Sequence, residues 1–339
     1  MTILAVDVGR THCRAGVFTT DPDGALRPGP SISRSSAATV VDPDGPARVA
    51  GTVTAALGEL GLLADLPGPA TVAVAAAGSL SRREPVARMA DQLAGALAAP
   101  AQRGDGPGCG IDEIIVTSDV VAAHAGAFDG APGVVLAVGT GAVAFALDAA
   151  GRHHVVDGGG YLVGDAGSGF AVGRAGLAAA LRYEDGRPGG SAALAAAATR
   201  LAPPGGTLRE VVVALHGGTD PTRRVARVAA FAPEVATAAR AGDPVAGSIW
   251  RDAATQLAET AVAACRALPE GAREVVLVGA LFQVEDLLVA PLRALIAEGL
   301  SHTTVRVGSA DALVGAANLA RRPASGYESL LLSRPVGGR

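Results

Sequence analysis

The chain has 339 residues, 49% of them hydrophobic, with a net charge of -4 and cysteines only at 13, 109 and 265. This length suits two domains with separate cores, the charge leaves no basic footprint for nucleic acid, and the cysteines make neither a metal spacing nor a disulfide framework. All 28 basic residues are arginine, which excludes a Walker A loop, a protein-kinase strand lysine and Schiff-base chemistry.

Much of the apolar fraction is alanine, and no run of roughly 18 strongly apolar residues occurs, so no membrane partner is expected. No charged leader precedes the first strand, and the cysteines suit a reducing compartment. A cytoplasmic location is therefore expected.

In chain order, "ILAVDVGRTHCRAGVF" (3–18) reads as a strand over 2–8, a turn at Gly9 and a second strand over 14–19. "DPDG" at 21–24 is a turn. The spacing of Val49, Val53, Ala56, Leu57 and Leu60 predicts a helix over 45–63. The apolar run "ATVAVAAAG" (70–78) predicts a strand buried on both faces. "SRRE" (81–84) is a capping box that opens a helix to about 98. A loop spans 100–110, a strand 111–119, and a helix follows. After Pro132 the pattern restarts with strands at 134–139 and 142–147 around a glycine turn. Helices are predicted over 168–183, 191–201, 207–215, 222–240 and 243–268. A strand (273–281), a helix (284–298), a short strand (303–307) and a last helix (309–321) complete the pattern, and the tail from 322 reads as poorly ordered. "LAVDVGRTHCRAGVF" and "LAVGTGAVAFALDA" align as an internal duplication, which predicts two α/β halves with a cleft between them.

Several residues carry chemistry. Gly9, Gly139 and Gly141 let a ligand approach the backbone, and successive amides in such turns make an anion nest. Thr11 and Thr140 add hydroxyls, and Asp7 is placed to hold magnesium. Either hairpin alone reads equally well as an ordinary turn, whereas the pair points to phosphate. Asp119, at the end of a strand and the start of a helix, is either a helix cap or a general base. "GGGYLVGDAGSGFAVG" (158–173) reads as a loop pressed on a ligand, with Asp165 as an acceptor for sugar hydroxyls or as a cap. His153 and His154 read as surface strand residues. Gly279, ending "VLVG", is a weak signal for adenine or ribose.

These segments together resemble the BadF/BadG/BcrA/BcrD ATPase family of the actin–hexokinase–Hsp70 superfamily, and within it the N-acetylglucosamine and glucosamine kinases. Asp7, Gly9, Thr11 and Arg14 match the first phosphate motif, D-G-G-G-T-x-x-R, although Val8 and Arg10 replace two of its glycines. Ser118-Asp119 resembles the segment bearing the catalytic aspartate, "AVGTGAVAF" the second phosphate motif, and "LVGALF" the adenosine motif. "GGGYLVGDAGSG" is similar to the sugar-binding segment, placing Gly160 and Asp165 at the substrate. Where the branch offers an asparagine, "SSAATV" places Thr39.

The resemblance implies an α/β fold of two actin/hexokinase-like (ribonuclease H-like) domains. These would be an N-terminal domain over 1–118 with the returning helix 309–321, a C-terminal domain over 119–308, and a tail over 322–339. It implies ATP and Mg2+ as cofactors, a small sugar as partner, and is compatible with a homodimer. The activity implied is phosphorylation of N-acetylglucosamine at its 6-hydroxyl, with glucosamine as the close alternative. ROK-type kinases are disfavoured because their cysteine-rich zinc motif is missing. The family's iron–sulfur activators are disfavoured because the cysteines make no cluster set. An ATPase coupled to a partner protein and a nucleotide-binding regulator are the rival classes.

Overall fold

A computed structural model describes residues 1–36, 39–61, 69–80, 82–102, 110–217, 221–268, 274–308, 311–321 and 326–337. The capping serine at 81 and most of the 100–110 loop lie outside them. The chain divides into two compact units. The first comprises Met1–Pro132, Leu147–His153 and Ser309–Arg339, and the second Gly133–Ala146 and His154–Gly308.

The first unit is built on a mixed sheet. Strands β1 (Thr2–Val8), β2 (His12–Thr20) and β3 (Leu26–Ser35) form an antiparallel meander. Strands β4 (Ala70–Ala76) and β5 (Ile111–Ser118) continue the sheet in parallel with β1. Every residue of β4 is buried, as its unbroken apolar run requires. Helices α1 (Gly45–Glu59) and α2 (Arg83–Gln102) join Leu4, Val6 and Val8 in one core through Val49, Val53, Leu57, Met89 and Leu93. The period of two turns Ile3 and Ala5 to the opposite face.

The second unit repeats this order. Strands β6 (Gly133–Val138), β7 (Ala142–Leu147) and β8 (His153–Asp157) are followed, after a helical stretch, by β9 (Glu274–Val278) and β10 (Thr304–Val307). The sheet order is β10-β9-β6-β7-β8, the counterpart of β5-β4-β1-β2-β3. The fold is thus a duplicated α/β architecture. Helices α4 (Gly169–Glu184), α5 (Ala192–Thr199), α6 (Leu208–His216), α7 (Pro221–Ala229), α8 (Ala232–Arg240) and α9 (Pro244–Arg266) lie between β8 and β9. Trp250, Phe231 and Leu257 are buried in the core they share with Leu136 and Leu277. Among the described residues, no helix is long and apolar enough to cross a membrane.

Three elements differ from expectation. The helix expected over 222–240 is two, α7 and α8, because Pro233 has no amide to extend a helix through 230–231. β3 escapes sequence reading because Pro28 and Pro30 argue against a strand, yet β3 is the sheet edge, where proline is tolerated. The segment expected to be disordered contains β11 (Leu332–Pro335), which pairs antiparallel with β5 and closes that edge. Tyr327, almost fully buried, anchors the same segment through a 2.7 Å hydrogen bond between its hydroxyl and His124 Nδ1.

After β10, helix α11 (Ala312–Ala320) packs against α3 (Asp119–Phe128), β1 and β4. The crossing with α3 has room for hydrogen only. A Cβ on Gly315 would lie 1.7 Å from the Ala122 carbonyl oxygen. Gly315→Ala should therefore lower stability by about 3 kcal/mol through forced separation of the helices. Gly51→Ala, in α1 with nothing within 4 Å of the added carbon, should raise it by about 0.5–1 kcal/mol. Thermal unfolding followed by circular dichroism checks both signs, and a parental midpoint for Gly315→Ala would contradict the close crossing.

Candidate active site

β1, β4 and β5 end level with one another, with Val8 opposite Ala76 and Ala76 opposite Ser118. The side chains and turns that follow them share one edge of the first sheet. Asp7 is the penultimate residue of β1. Its Oδ2 accepts from Arg14 Nη2 at 2.8 Å, across the β1–β2 ladder. The same Nη2 lies 2.7 Å from Oδ1 of Asp311, the N-cap of α11. Burial raises the pKa of Asp7, and Arg14 opposes that shift. Asp311 was not foreseen, although an aspartate directly before the apolar run of 312–320 carries the signature of a helix start.

Asp119 is the first residue of α3. The N-cap is Ser118, whose Oγ accepts from the Val121 amide at 3.4 Å. The N-cap is therefore the serine and not Asp119. Asp119 is half-buried, and its Oδ1 accepts from the Val120 amide at 2.9 Å. Burial, and then the charge of Asp7, push its pKa up to about 6. Such a carboxylate is ionised at neutral pH and still basic enough to take a proton.

The two glycine turns are built differently from their sequences' common reading. In both, the leading glycine spends its amide on closing the turn, Gly9 on the His12 carbonyl and Gly139 on the Gly141 carbonyl, each at 2.9 Å. Neither glycine is required by the chain. Among the described residues, a Cβ at Gly139 would meet nothing within 4 Å, and one at Gly9 only the His12 oxygen at 3.6 Å. Bare backbone that the fold itself does not need is suited to the approach of a ligand. The second turn is held from behind by the start of α4, where the amides of Gly169 and Phe170 donate to the carbonyls of Gly139 and Thr140 at 2.9 and 3.1 Å. Ser168 caps α4.

Gly141 has a different reason. A Cβ there would lie 2.9 Å from Asp165 Oδ2. Asp165 is 4% exposed, and its Oδ1 accepts from the Ala142 amide at 3.3 Å. The structure thus sets this carboxylate against the glycine turn and not as the cap of α4. Asp165 adopts a left-handed backbone, φ 57°, fixed by Asp157, whose two oxygens accept from the amides of Asp165 and Ala166 at 2.7 and 2.8 Å. Asp157 went unnoticed in the sequence, although an aspartate before three glycines favours such a turn.

Gly279 ends β9 beside the end of β6. Its φ is 115° and a Cβ would lie 2.1 Å from the Val138 oxygen, so strand packing by itself demands glycine there. Gly160, φ 83°, has open space around it. Thr39 is almost fully buried, its amide donates to Asp42 Oδ2 at 2.7 Å, and its hydroxyl has no hydrogen-bond partner among the described residues.

Asp7 suits magnesium. Its Oδ1 has no hydrogen bond among the described residues, and an added cation would relieve the repulsion felt at Asp119. No cluster of three or more metal-ligating side chains occurs among the described residues. An ion at Asp7 would therefore take its other ligands from phosphate and water, as magnesium does.

The paired sheets and glycine turns define an actin/hexokinase-like fold. Residues 4–320 match the BadF/BadG/BcrA/BcrD ATPase family, and the chain belongs to that family. It is accordingly an enzyme whose nucleotide is ATP. No protein of curated function matches its sequence. Among solved structures, a candidate N-acetylglucosamine kinase from Chromobacterium violaceum is 26% identical, with a TM-score of 0.64 and coverage of 95% of this chain and 99% of that one. A candidate N-acetylglucosamine kinase from Porphyromonas gingivalis has a TM-score of 0.63 at 17% identity, covering 94% and 97%. A ROK-family glucokinase from Streptomyces griseus, bound to glucose and AMPPNP, has a TM-score of 0.56 at 20% identity, covering 95% and 100%. The last two are similar in fold alone.

The raised pKa of Asp119 has a cost. A folded-state pKa of about 6 against an ordinary 3.8 means that folding favours the protonated acid. That contribution is complete below about pH 4 and is lost as pH rises through 6. Asp119→Asn should therefore be more stable than the parent at pH 8, by on the order of 1–3 kcal/mol, and should show no gain at pH 4. Melting curves at the two pH values test this, and an equal effect at both would refute the raised pKa.

Proposed function

We propose that the protein is an ATP-dependent sugar kinase that phosphorylates N-acetylglucosamine at its 6-hydroxyl. The observation that carries this reading is Asp119: a carboxylate relieved of capping duty by Ser118, half-buried, and held near pKa 6. Asp119 takes the proton of the acceptor hydroxyl while that oxygen attacks the γ-phosphorus of ATP. The bond from the γ-phosphorus to the β,γ-bridging oxygen breaks, and ADP leaves with the electron pair. The turns at Gly9–Thr11 and Gly139–Gly141 bind phosphate oxygens through backbone and the hydroxyls of Thr11 and Thr140, and the end of β9 at Gly279 lies beside the adenosine. Asp7 would hold magnesium, which when bound neutralises phosphate charge.

The amino-sugar choice draws support from the Chromobacterium violaceum neighbour and from Thr39. A buried hydroxyl without a partner is costly and is repaid by a ligand that supplies one. We assign Thr39 to the sugar's 2-substituent, and Gly160 and Asp165 to its ring hydroxyls. A single hydroxyl reads that substituent loosely, so glucosamine is accepted too. Cytoplasmic residence completes the proposal, and a homodimer is compatible with it.

Asp119→Asn should retain nucleotide binding and lose turnover by roughly 10²–10⁴-fold. In the parent, kcat/KM should fall as pH drops through about 6, where the base becomes protonated. A panel of N-acetylglucosamine, glucosamine and glucose should give activity on the first two and little on the third. Glucose as best substrate, or steady ATP hydrolysis with no sugar phosphorylated, would defeat the assignment.

The turns give a second prediction. Gly139→Ala should leave thermal stability unchanged and weaken ATP binding, because its added carbon meets only ligand. Gly141→Ala should lower stability, because its carbon meets Asp165. Asp165→Ala should raise KM for ATP as well as for sugar, since its carboxylate holds the phosphate turn. Calorimetric titration with ATP decides, and unchanged affinity in Gly139→Ala would move the phosphate site elsewhere.

A further inference from the structure

Val8, Ala76 and Ser118 stand level across three parallel strands of the first unit, so the turn at Gly9–Thr11 and the residue Asp119 leave the sheet at the same edge. The Ala77 amide donates to the Val8 carbonyl at 2.9 Å, which holds the edge level one residue further. Two strand spacings separate the turn from Asp119, about 10 Å. A hydroxyl held by Asp119 would lie about 3 Å from its carboxylate, and the phosphorus it attacks about 3 Å further on. The transferring group therefore falls in the span between Asp119 and the turn. Arg10 is the central residue of that turn and is half-exposed.

The chain contains no lysine, so a permanently charged side-chain cation for the phosphate must be arginine. Arg10 stands where the resembling phosphate motif has glycine, and a long cationic side chain there changes what the turn can do. We propose that Arg10 grips the γ-phosphoryl group during transfer and is a catalytic residue of this enzyme, an inference that rests on the kinase reading above. The charge of Arg10 acts at Asp119, where it favours the ionised carboxylate. Its guanidinium offers paired donors to phosphate oxygens, and it bears on charge that spreads over the γ-oxygens as the bridging bond breaks.

The γ-phosphate is what distinguishes ATP from ADP, so binding tests Arg10 independently of sugar chemistry. Titration calorimetry of the full chain with magnesium and either AMPPNP or ADP should show that Arg10→Gly loses affinity for AMPPNP at least tenfold and keeps its ADP affinity within twofold. Turnover of N-acetylglucosamine should fall by roughly 10²–10³-fold, as when one transition-state donor is removed. Arg10→Lys, which keeps the charge and the hairpin, should recover part of both losses. Equal loss of AMPPNP and ADP affinity, or parental turnover in Arg10→Gly, would overturn the proposal. If the parent phosphorylates no sugar at all, the kinase reading fails while the AMPPNP and ADP comparison still decides Arg10.

Discussion

Burial makes Asp119 harder to ionise, the charge of Asp7 adds to that, and both carboxylates stand at one edge of the first sheet. Asp7 sits at the end of β1 because the strand must deliver a carboxylate to the sheet edge, and Arg14 faces it from β2 to make its burial tolerable. Arg14 in turn touches Asp311, so the start of α11 is tied to the start of the chain. The result is a local concentration of negative charge that a cation stabilises. The fold holds Asp7, on β1, in an ion pair and Asp119, at the start of α3, near pKa 6, chiefly by burial.

The second unit uses the same strand order without that charge. In the aligned hairpins Gly139 stands opposite Asp7, and the second turn is braced by backbone donors from α4 and by the Asp165 carboxylate. Duplication therefore preserved the frame and divided the chemistry. Glycine makes the division visible. At 9 and 139 the space beside the backbone is open, whereas at 141, 279 and 315 it is filled by Asp165, Val138 and Ala122. Residues of one type in similar motifs thus do two jobs, and only the surrounding atoms tell them apart.

The C-terminal segment shows how little local signal some elements need. β11 is four residues long and contains a proline, yet it completes the sheet because β5 would otherwise present an open edge. Tyr327 reaches His124 on α3, the helix that begins with Asp119, and adds a buried hydrogen bond beneath it. β3 is a similar case on the opposite edge.

The sequence by itself determined the frame: apolar runs wrote the central strands, periodic spacing wrote most helices, and the recurrence of a glycine hairpin wrote the duplication. These are local patterns, and local patterns follow from the period of the backbone. It also put Asp7, Gly9, Asp119 and the turn at 139–141 forward as the chemical residues, because the glycine hairpin recurs and acids stand at the ends of two buried strands. Tertiary structure decided what surrounds them. That Asp165 leans on Gly141 and that Asp311 shares Arg14 depend on which elements become neighbours, while the Ser118 cap and the hold of Asp157 on Asp165 are local bonds that the residue types leave open. A cap, a brace and a base can be the same residue type at the same kind of position, and they differ only in what lies within 3 Å of the carboxylate.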